Sequence, residues 1–167
     1  MNRFNKKYLI FFTGLFLTIN VVNSAPIVGQ GAPDFVLPSL ADGNLRLSEY
    51  RSEVVVLTFW ASWCARCNQA LPLYKSLFNQ YKNSGLQILT VAIEGDVDIS
   101  EQLADGFNLE FPILLDSNYQ VSRLYDLGKM PMTVVIDREG VVVFIDSGFR
   151  GDSVKRIAAE VSGLMEE

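Results

Sequence analysis

The sequence predicts an α/β fold in which a central mixed β-sheet is flanked by helices. Apolar, β-branched runs such as VVVLTF (54–59) and LQILTVAI (86–93) are typical of buried central strands. Segments with apolar residues at helical spacing alternate with these runs. A strand pair near the C terminus, followed by one more helix, makes the predicted sheet mixed rather than purely parallel.

The first elements along the chain are a β-hairpin, a buried strand and a long helix. APDFVLPSL (32–40) and NLRLSEY (44–50) are extended pieces on either side of ADG, a turn signal, so they predict the hairpin. The VVVLTF strand follows. Apolar residues at helical spacing then predict a helix over 64–82, and NSG (83–85) ends it.

The second half continues the alternation of strands and helices. After LQILTVAI, a short helix over 98–107 is predicted, with Asp98 or Ser100 as its cap. MTVVID and VVVFID flank REG, which is a strong hairpin signal. The remaining elements are a strand over 112–115, a helix over 118–125 and a final helix over 152–165.

Residues 1–24 have the pattern of an export signal. NRFNKK is a basic start, an apolar run covers 8–22, and small residues allow cleavage after Ser24. An uncleaved signal-anchor is the alternative, although the run is short of the ~20 residues that span a bilayer. Either way the domain is exported, to a periplasmic or other extracytoplasmic place where disulfides persist. Residues 25–30 are then a linker, and 31–167 form one domain.

The charge of this domain argues against polyanionic partners. The chain has 14 cationic and 19 acidic side chains, and residues 1–24 hold three of the cations and no acid. The remainder therefore carries 11 cations against 19 acids, a net charge of −8. A domain this acidic is unsuited to nucleic acid or to anionic lipid, so contact with a membrane is expected only through an uncleaved anchor.

Cys64 and Cys67 are the only cysteines, and the chain has no histidine. The strand–turn–helix pattern places Cys64 at a helix N terminus and Cys67 one turn further in. Free N–H groups and the helix dipole favour a thiolate there, which lowers the pKa of such a cysteine from near 8.5 to roughly 3.5–7.5. Arg66 adds a nearby positive charge. The pattern predicts a redox pair with an exposed nucleophile and a shielded second thiol.

Other uses of two neighbouring cysteines fit less well. A bond between residues three apart closes almost no loop, so it would stabilise the fold little. A structural zinc site needs four ligands, and only two thiols are present. Two-coordinate Cu(I) binding stays open. Without histidine, Cys-His and Ser-His-Asp catalysis are excluded.

The WCARC motif followed by Pro72, after VVVLTFWAS, resembles the thioredoxin superfamily. More narrowly, the chain is similar to the exported TlpA/ResA-type thiol–disulfide oxidoreductases, with an AhpC/TSA-redoxin-like layout and the arrangement of their cytochrome c-maturation branch. The likeness runs from about Gly31 to the last helix. It includes the hairpin segment and FPILLDSNYQVSRLYDLGKMPMTVVIDREG (111–140). It implies a thioredoxin-like fold.

The resemblance also implies roles for individual residues. Cys64 would be the nucleophile and Cys67 the resolving thiol. Pro131 matches the family's cis-proline, which faces the cysteines; a trans proline opening an edge strand is the alternative. The backbone of Met130 would pair with a client peptide as an added strand, and Trp63 would shield the sulfurs.

Three positions depart from the family pattern or need assignment. Thr58 stands where thioredoxin has a buried aspartate behind the pair, so no carboxylate is available there for proton transfer. Arg66 stands where proline is common, and this dipeptide tunes the redox potential. An acidic residue near the sulfurs is common in the branch; Glu94 is the candidate and Asp96 the second choice, and a solvated strand-end carboxylate is the alternative for both.

These features predict an exported oxidoreductase that reduces disulfides of client proteins, recharged by a membrane thiol–disulfide electron donor and needing no cofactor or metal. By resemblance, the clients are apocytochromes with a haem-site disulfide; oxidised envelope proteins are the alternative. A disulfide oxidant or isomerase would use the same site, and a non-catalytic thioredoxin-fold binding module is a further alternative. A peroxiredoxin is excluded because Leu57 and Ala61 stand where its motif needs proline and a hydroxyl residue.

Overall fold

A computed structural model describes residues 25–41, 43–94 and 96–166 of the chain. The predicted export signal lies outside the described residues, as does Asp42 in the predicted turn of the hairpin. Within the described ranges, no helix combines the length and the apolar character needed to cross a membrane.

The secondary structure of the described ranges follows the predicted order. The strands and α-helices are β1 (Val36–Pro38), β2 (Asn44–Arg46), β3 (Val54–Trp60), α1 (Ala65–Tyr81), β4 (Leu86–Ala92), α2 (Val97–Phe107), β5 (Ile113–Leu115), α3 (Gln120–Leu124), β6 (Met132–Ile136), β7 (Val142–Ser147) and α4 (Ser153–Glu166). Short 3-10 helices cover Leu47–Tyr50 and Lys82–Ser84, so the predicted extended piece over 44–50 is a strand only as far as Arg46.

A five-stranded mixed sheet in the order β5-β4-β3-β6-β7 forms the centre of the fold, which confirms the α/β prediction. The strands β3, β4 and β5 run parallel, and β6 is antiparallel to both of its neighbours. The predicted hairpin is a separate antiparallel pair of β1 and β2, and Ser39 after β1 bridges to Leu114 of β5.

Strand β3 is buried along all seven residues because helices and loops cover both faces of the sheet. One face carries α1 and α4. Thr58 and Thr133 are register partners there, and the Tyr74 hydroxyl of α1 contacts both. On the other face, the Phe59 ring packs against Tyr125, with ring centroids 5.5 Å apart. The end of β3, where the cysteines follow, is therefore fixed from both sides.

The start of α2 differs from the predicted cap. Its N-cap is Asp96, whose carboxylate accepts the Ile99 N–H at 3.0 Å. The predicted caps lie inside the helix: Asp98 is in the first turn, and Ser100 donates its hydroxyl to the Asp96 carbonyl at 2.7 Å. The helix begins earlier than predicted because the extended backbone of Asp96 already presents a capping carboxylate.

The predicted linker over 25–30 is tied to the sheet at its end. The Gly29 N–H donates to the Val142 carbonyl, and the Val142 N–H donates to the Gln30 carbonyl, both at 2.8 Å. Strand β7 is the edge of the sheet, so its outer N–H and C=O groups need partners, and this segment supplies them.

Helix α4 is anchored to the sheet through a buried carboxylate. Asp146 of β7 is 2% exposed, accepts the Ser153 hydroxyl at 2.7 Å and pairs with Arg156. We expect Asp146→Ala to lower the free energy of unfolding by about 3 kcal/mol, because it leaves Arg156 and Ser153 without this partner. Urea unfolding measures the change.

Asp152→Ala is the matched control for this prediction. Asp152 also pairs with Arg156, at 3.2 Å, but its side chain is 64% exposed. An exposed ion pair contributes little, so the expected loss is below about 0.5 kcal/mol. Equal losses in the two variants would contradict the anchoring role of Asp146.

Candidate active site

The two cysteines lie where β3 gives way to α1. Cys64 is the N-cap of α1, and its sulfur accepts the Cys67 N–H at 3.2 Å. The Cys64 N–H in turn donates to the Ala61 carbonyl at 3.0 Å, which closes the turn between strand and helix. The two sulfurs form a disulfide. The structure thus places the pair at the helix N terminus, as the strand–turn–helix pattern predicts.

The two sulfurs differ in access, although both residues are buried in the disulfide form. Cys64 is 6% exposed and Cys67 2%, so Cys64 is less open to solvent than the sequence predicts. Cys64 lines a cavity of about 530 Å³, and Cys67 is not among its lining residues. Cys67 Sγ instead lies 3.9 Å from the Phe59 carbonyl oxygen. An incoming group can therefore reach only the first sulfur from this cavity.

Apart from Arg66, the lining of this cavity is largely apolar. Ile93, Leu127 and Met130 line it together with Trp63. The Trp63 side chain is 68% exposed, so it stands at the rim of the cavity rather than as a buried cover over the sulfurs. The arrangement offers an apolar surface to whatever approaches Cys64.

The Met130–Pro131 peptide bond is cis, as the family resemblance implies. The carbonyl of Pro131 accepts the Gly148 N–H at 2.8 Å, which fixes this segment at the start of β6. Neither backbone polar group of Met130 has a hydrogen-bond partner within the part of the chain that the structure describes. One N–H and one C=O beside the disulfide are therefore available to a bound peptide.

A group of buried hydroxyls surrounds Thr58, in the strand that leads to the cysteines. Thr58 is 2% exposed and donates to the Tyr74 hydroxyl at 3.4 Å. That hydroxyl shares a bond of 2.6 Å with Thr133. Burial raises the pKa of Tyr74, so the phenol remains neutral. The position predicted to lack a carboxylate is thus occupied by neutral, mutually bonded groups. Sequence reasoning missed Tyr74 here, although a phenol on the apolar face of a helix is a signal for a buried hydroxyl.

Arg66 links the active-site helix to the loop after β7. Its guanidinium Nη1 donates to the Gly148 carbonyl at 3.1 Å. The side chain also lines the cavity above Cys64, so it adds positive charge there.

Glu94 binds the turn that precedes Cys64. Its two carboxylate oxygens accept the Ser62 N–H and the Ser62 hydroxyl, the latter at 2.7 Å. Asp96 caps α2 instead. Sequence reasoning missed Ser62, because nothing in its local pattern points to a partner 32 residues away. The structure thus brings Trp63, Cys64, Arg66 and Met130 together at one cavity and leaves Thr58 and Glu94 outside its lining.

A cysteine pair at the N terminus of the helix that follows the central strand, together with a cis-proline just before β6, is typical of the thioredoxin-fold thiol–disulfide oxidoreductases as a class. The AhpC/TSA family model matches residues 28–145. ResA thiol–disulfide oxidoreductases from Geobacillus kaustophilus and Geobacillus thermodenitrificans are 41% and 39% identical to the chain over 126 residues. Each match covers 75% of this chain and 72% of the relative.

Solved structures agree with these relatives. A Chlorobium tepidum protein described as a thiol:disulfide interchange protein DsbE superposes with a TM-score of 0.79 and 31% identity, over 84% of this chain and 99% of that one. The predicted thioredoxin-like fold is confirmed. The chain belongs to the AhpC/TSA family and, within it, to the ResA-type thiol–disulfide oxidoreductases.

Proposed function

We propose that this oxidoreductase reduces disulfides of client proteins by dithiol–disulfide exchange through Cys64 and Cys67. The observation that carries the proposal is the position of Cys64. Its sulfur sits at the N-cap of α1 and lines the cavity beside Met130, while Cys67 lies behind it. In such a site a client can reach one sulfur from the cavity, and the second sulfur is shielded until it attacks the mixed disulfide.

The exchange proceeds in two steps that together move two electrons to the client. In the reduced protein, the Cys64 thiolate attacks one sulfur of the client disulfide. A bond forms between them, and the second client sulfur leaves as a thiolate that takes a proton from water. The Cys67 thiolate then attacks the Cys64 sulfur and releases the first client sulfur. The product is the Cys64–Cys67 disulfide, the form that the structure holds.

The backbone of Met130 supports a mode of client binding. Its unpaired N–H and C=O groups can accept an extended peptide as an added strand. A client cysteine on that strand would lie over the cavity that Cys64 lines, and Trp63 and Leu127 would contact its apolar neighbours. Binding of this kind positions the disulfide without requiring one particular client sequence.

The place and direction of the reaction follow from the leader and the family resemblance. Residues 1–24 would export the domain over 31–167 to an extracytoplasmic compartment, as a cleaved signal or as an anchor through 8–22. A membrane thiol–disulfide electron donor would return electrons to the pair. The reducing direction requires a reduction potential low enough to give electrons to structural disulfides.

Insulin reduction tests the proposed activity. With dithiothreitol as electron source, the chain should accelerate the precipitation of reduced insulin, and Cys64→Ser should lower the rate to the uncatalysed background because it removes the nucleophile. Cys67→Ser is the matched control, since it also removes one sulfur. It should still form a mixed disulfide, now stable to non-reducing electrophoresis, because nothing resolves it.

Two results would contradict the proposal in different ways. If the unaltered chain binds a disulfide-containing protein but does not reduce it, the domain is a binding module and not a reductase. A Cys64/Cys67 potential near −120 mV against glutathione, the value typical of strong oxidants, would reverse the proposed direction.

We further propose that Glu94 is a positioning residue for Cys64. Its carboxylate accepts both polar hydrogens of Ser62, two residues before the nucleophile. The Trp60 carbonyl also accepts the Ile93 N–H at 3.0 Å, so the turn between β3 and α1 is fastened to the end of β4 at two points. A fastened turn holds the sulfur at the helix end, where small displacements slow reactions strongly.

Glu94→Gln tests this role. An amide offers one acceptor oxygen to two donors, so we expect the rate constant of Cys64 with a small disulfide to fall about three- to tenfold. Removing the negative charge should also favour the thiolate, which moves the pH midpoint of Cys64 alkylation downward. Asp96→Asn is the control, because Asp96 caps α2 and does not touch the turn. If Glu94→Gln lowers only the free energy of unfolding, and leaves both the rate constant of Cys64 and the pH midpoint of its alkylation unchanged, the positioning role of Glu94 is contradicted.

A further inference from the structure

A second cavity, of about 550 Å³, adjoins the one above Cys64. Arg66 and Gly128 line both cavities, so the two are neighbours at the same edge of the sheet. The second cavity lies on the side of Met130 that faces the end of β7. Its charged lining residues are Arg66, Lys129, Arg150 and Asp126.

Three cations around one cavity are unexpected in this chain. The domain carries 11 cations against 19 acids, yet this cavity has three cations and one acid. Charged groups spread at random on so acidic a surface would give the opposite balance. The lining therefore forms a local positive field next to the reactive sulfur.

Two of these cations have no partner of their own. Within residues 25–41, 43–94 and 96–166, neither Lys129 nor Arg150 forms an ion pair or a side-chain hydrogen bond. Asp126 is likewise outside every ion pair of those ranges. The cations are thus not balancing the fold's own carboxylates, and they remain available to an anion that enters the cavity.

The backbone of the cavity wall is held in place although the cationic ends are exposed. Arg150 donates its N–H to the Ser153 hydroxyl at 2.7 Å. The Lys129 carbonyl accepts the Ser147 hydroxyl at 3.3 Å, and Arg66 reaches the Gly148 carbonyl. These bonds fix the backbone at Lys129 and Arg150 and the guanidinium of Arg66, so all three residues start from one rim.

A client strand beside Met130 would pass this rim. Lys129 directly precedes Met130, and residues in an extended strand rise about 3.3 Å each. A side chain within about three residues of the client's reacting cysteine would reach the second cavity. On the opposite side of the cysteine, client residues would meet the apolar wall of Ile93 and Leu127.

We infer that the second cavity is a subsite for an acidic side chain of the client. It selects disulfides whose cysteine has an aspartate or glutamate within about three residues on the side of β7. This rests on the proposed reduction of client disulfides and adds the substrate class. Because the charges are at the rim, they act mainly on the rate of productive encounter and on its dependence on salt.

Single-turnover reduction of three matched peptides tests the subsite. Each peptide has one cysteine joined by a disulfide to neutral mercaptoethanol, and the neighbouring positions carry aspartate, asparagine or lysine. With the reduced full chain at low salt, the aspartate peptide should react about five- to tenfold faster than the asparagine peptide, and the lysine peptide more slowly. The difference should collapse at about 1 M salt, where charges are screened within about 3 Å.

Charge-reversed variants locate the effect. Lys129→Glu combined with Arg150→Glu should reverse the order of the aspartate and lysine peptides. Arg51→Glu combined with Arg138→Glu is the matched control. It changes the net charge equally at the opposite end of the sheet, where Ser52 donates its N–H to the Arg138 carbonyl. The control should keep the original order. Should the first variant fail to fold, Lys129→Gln and Arg150→Gln, tested singly, should each reduce the preference for aspartate.

The outcomes separate the inference from the proposed function. Equal rates for the aspartate and asparagine peptides would overturn the subsite and leave disulfide reduction standing. Reversal of the order by the Arg51 and Arg138 changes would also overturn it, because net charge alone would then explain the preference. A failure to react with all three peptides would contradict the proposed function itself.

Discussion

The hydrogen bond from the Cys67 N–H to the Cys64 sulfur is the interaction on which the site depends. It makes a sulfur the N-cap of α1, a position that otherwise takes an oxygen acceptor. The same N–H groups that donate to a cap also stabilise an anion, so this helix end would favour the thiolate of reduced Cys64. Burial of β3 on both faces fixes where that helix begins.

The other parts of the site converge because the sheet ends there. Cys64 follows the end of β3, and Met130 lies just before β6. In the loop after β7, the Gly148 carbonyl accepts a hydrogen bond from Arg66. Glu94, after β4, fastens the turn itself. Neighbouring strand ends thus supply the proposed nucleophile, the backbone proposed to bind a client peptide, the cationic rim and the support, and no single local sequence holds them all.

Local pattern predicted what depends on local chemistry. The apolar runs gave the sheet and the CxxC spacing gave the redox pair, whereas the cis bond before Pro131 came from the family resemblance. Pattern could not give contacts that depend on distant parts of the chain. Glu94 bonds Ser62, two residues before Cys64, a contact set by how the ends of β3 and β4 meet; its role near the sulfurs stays a prediction. The N-cap of α2 is Asp96 rather than the predicted Asp98 or Ser100. The position of the cap depends on where the preceding strand ends, and sequence predicts such boundaries only to within a few residues.

Alkylation of Cys64 as a function of pH tests the central claim most directly. In Cys67→Ser, Cys64 is the only remaining thiol, so the rate with iodoacetamide follows its thiolate fraction alone. A helix N-terminal sulfur that accepts a backbone N–H should ionise with a midpoint well below the ~8.5 of free cysteine. A midpoint at or above that value would show that the helix end does not stabilise the thiolate, and the account of this site would fail.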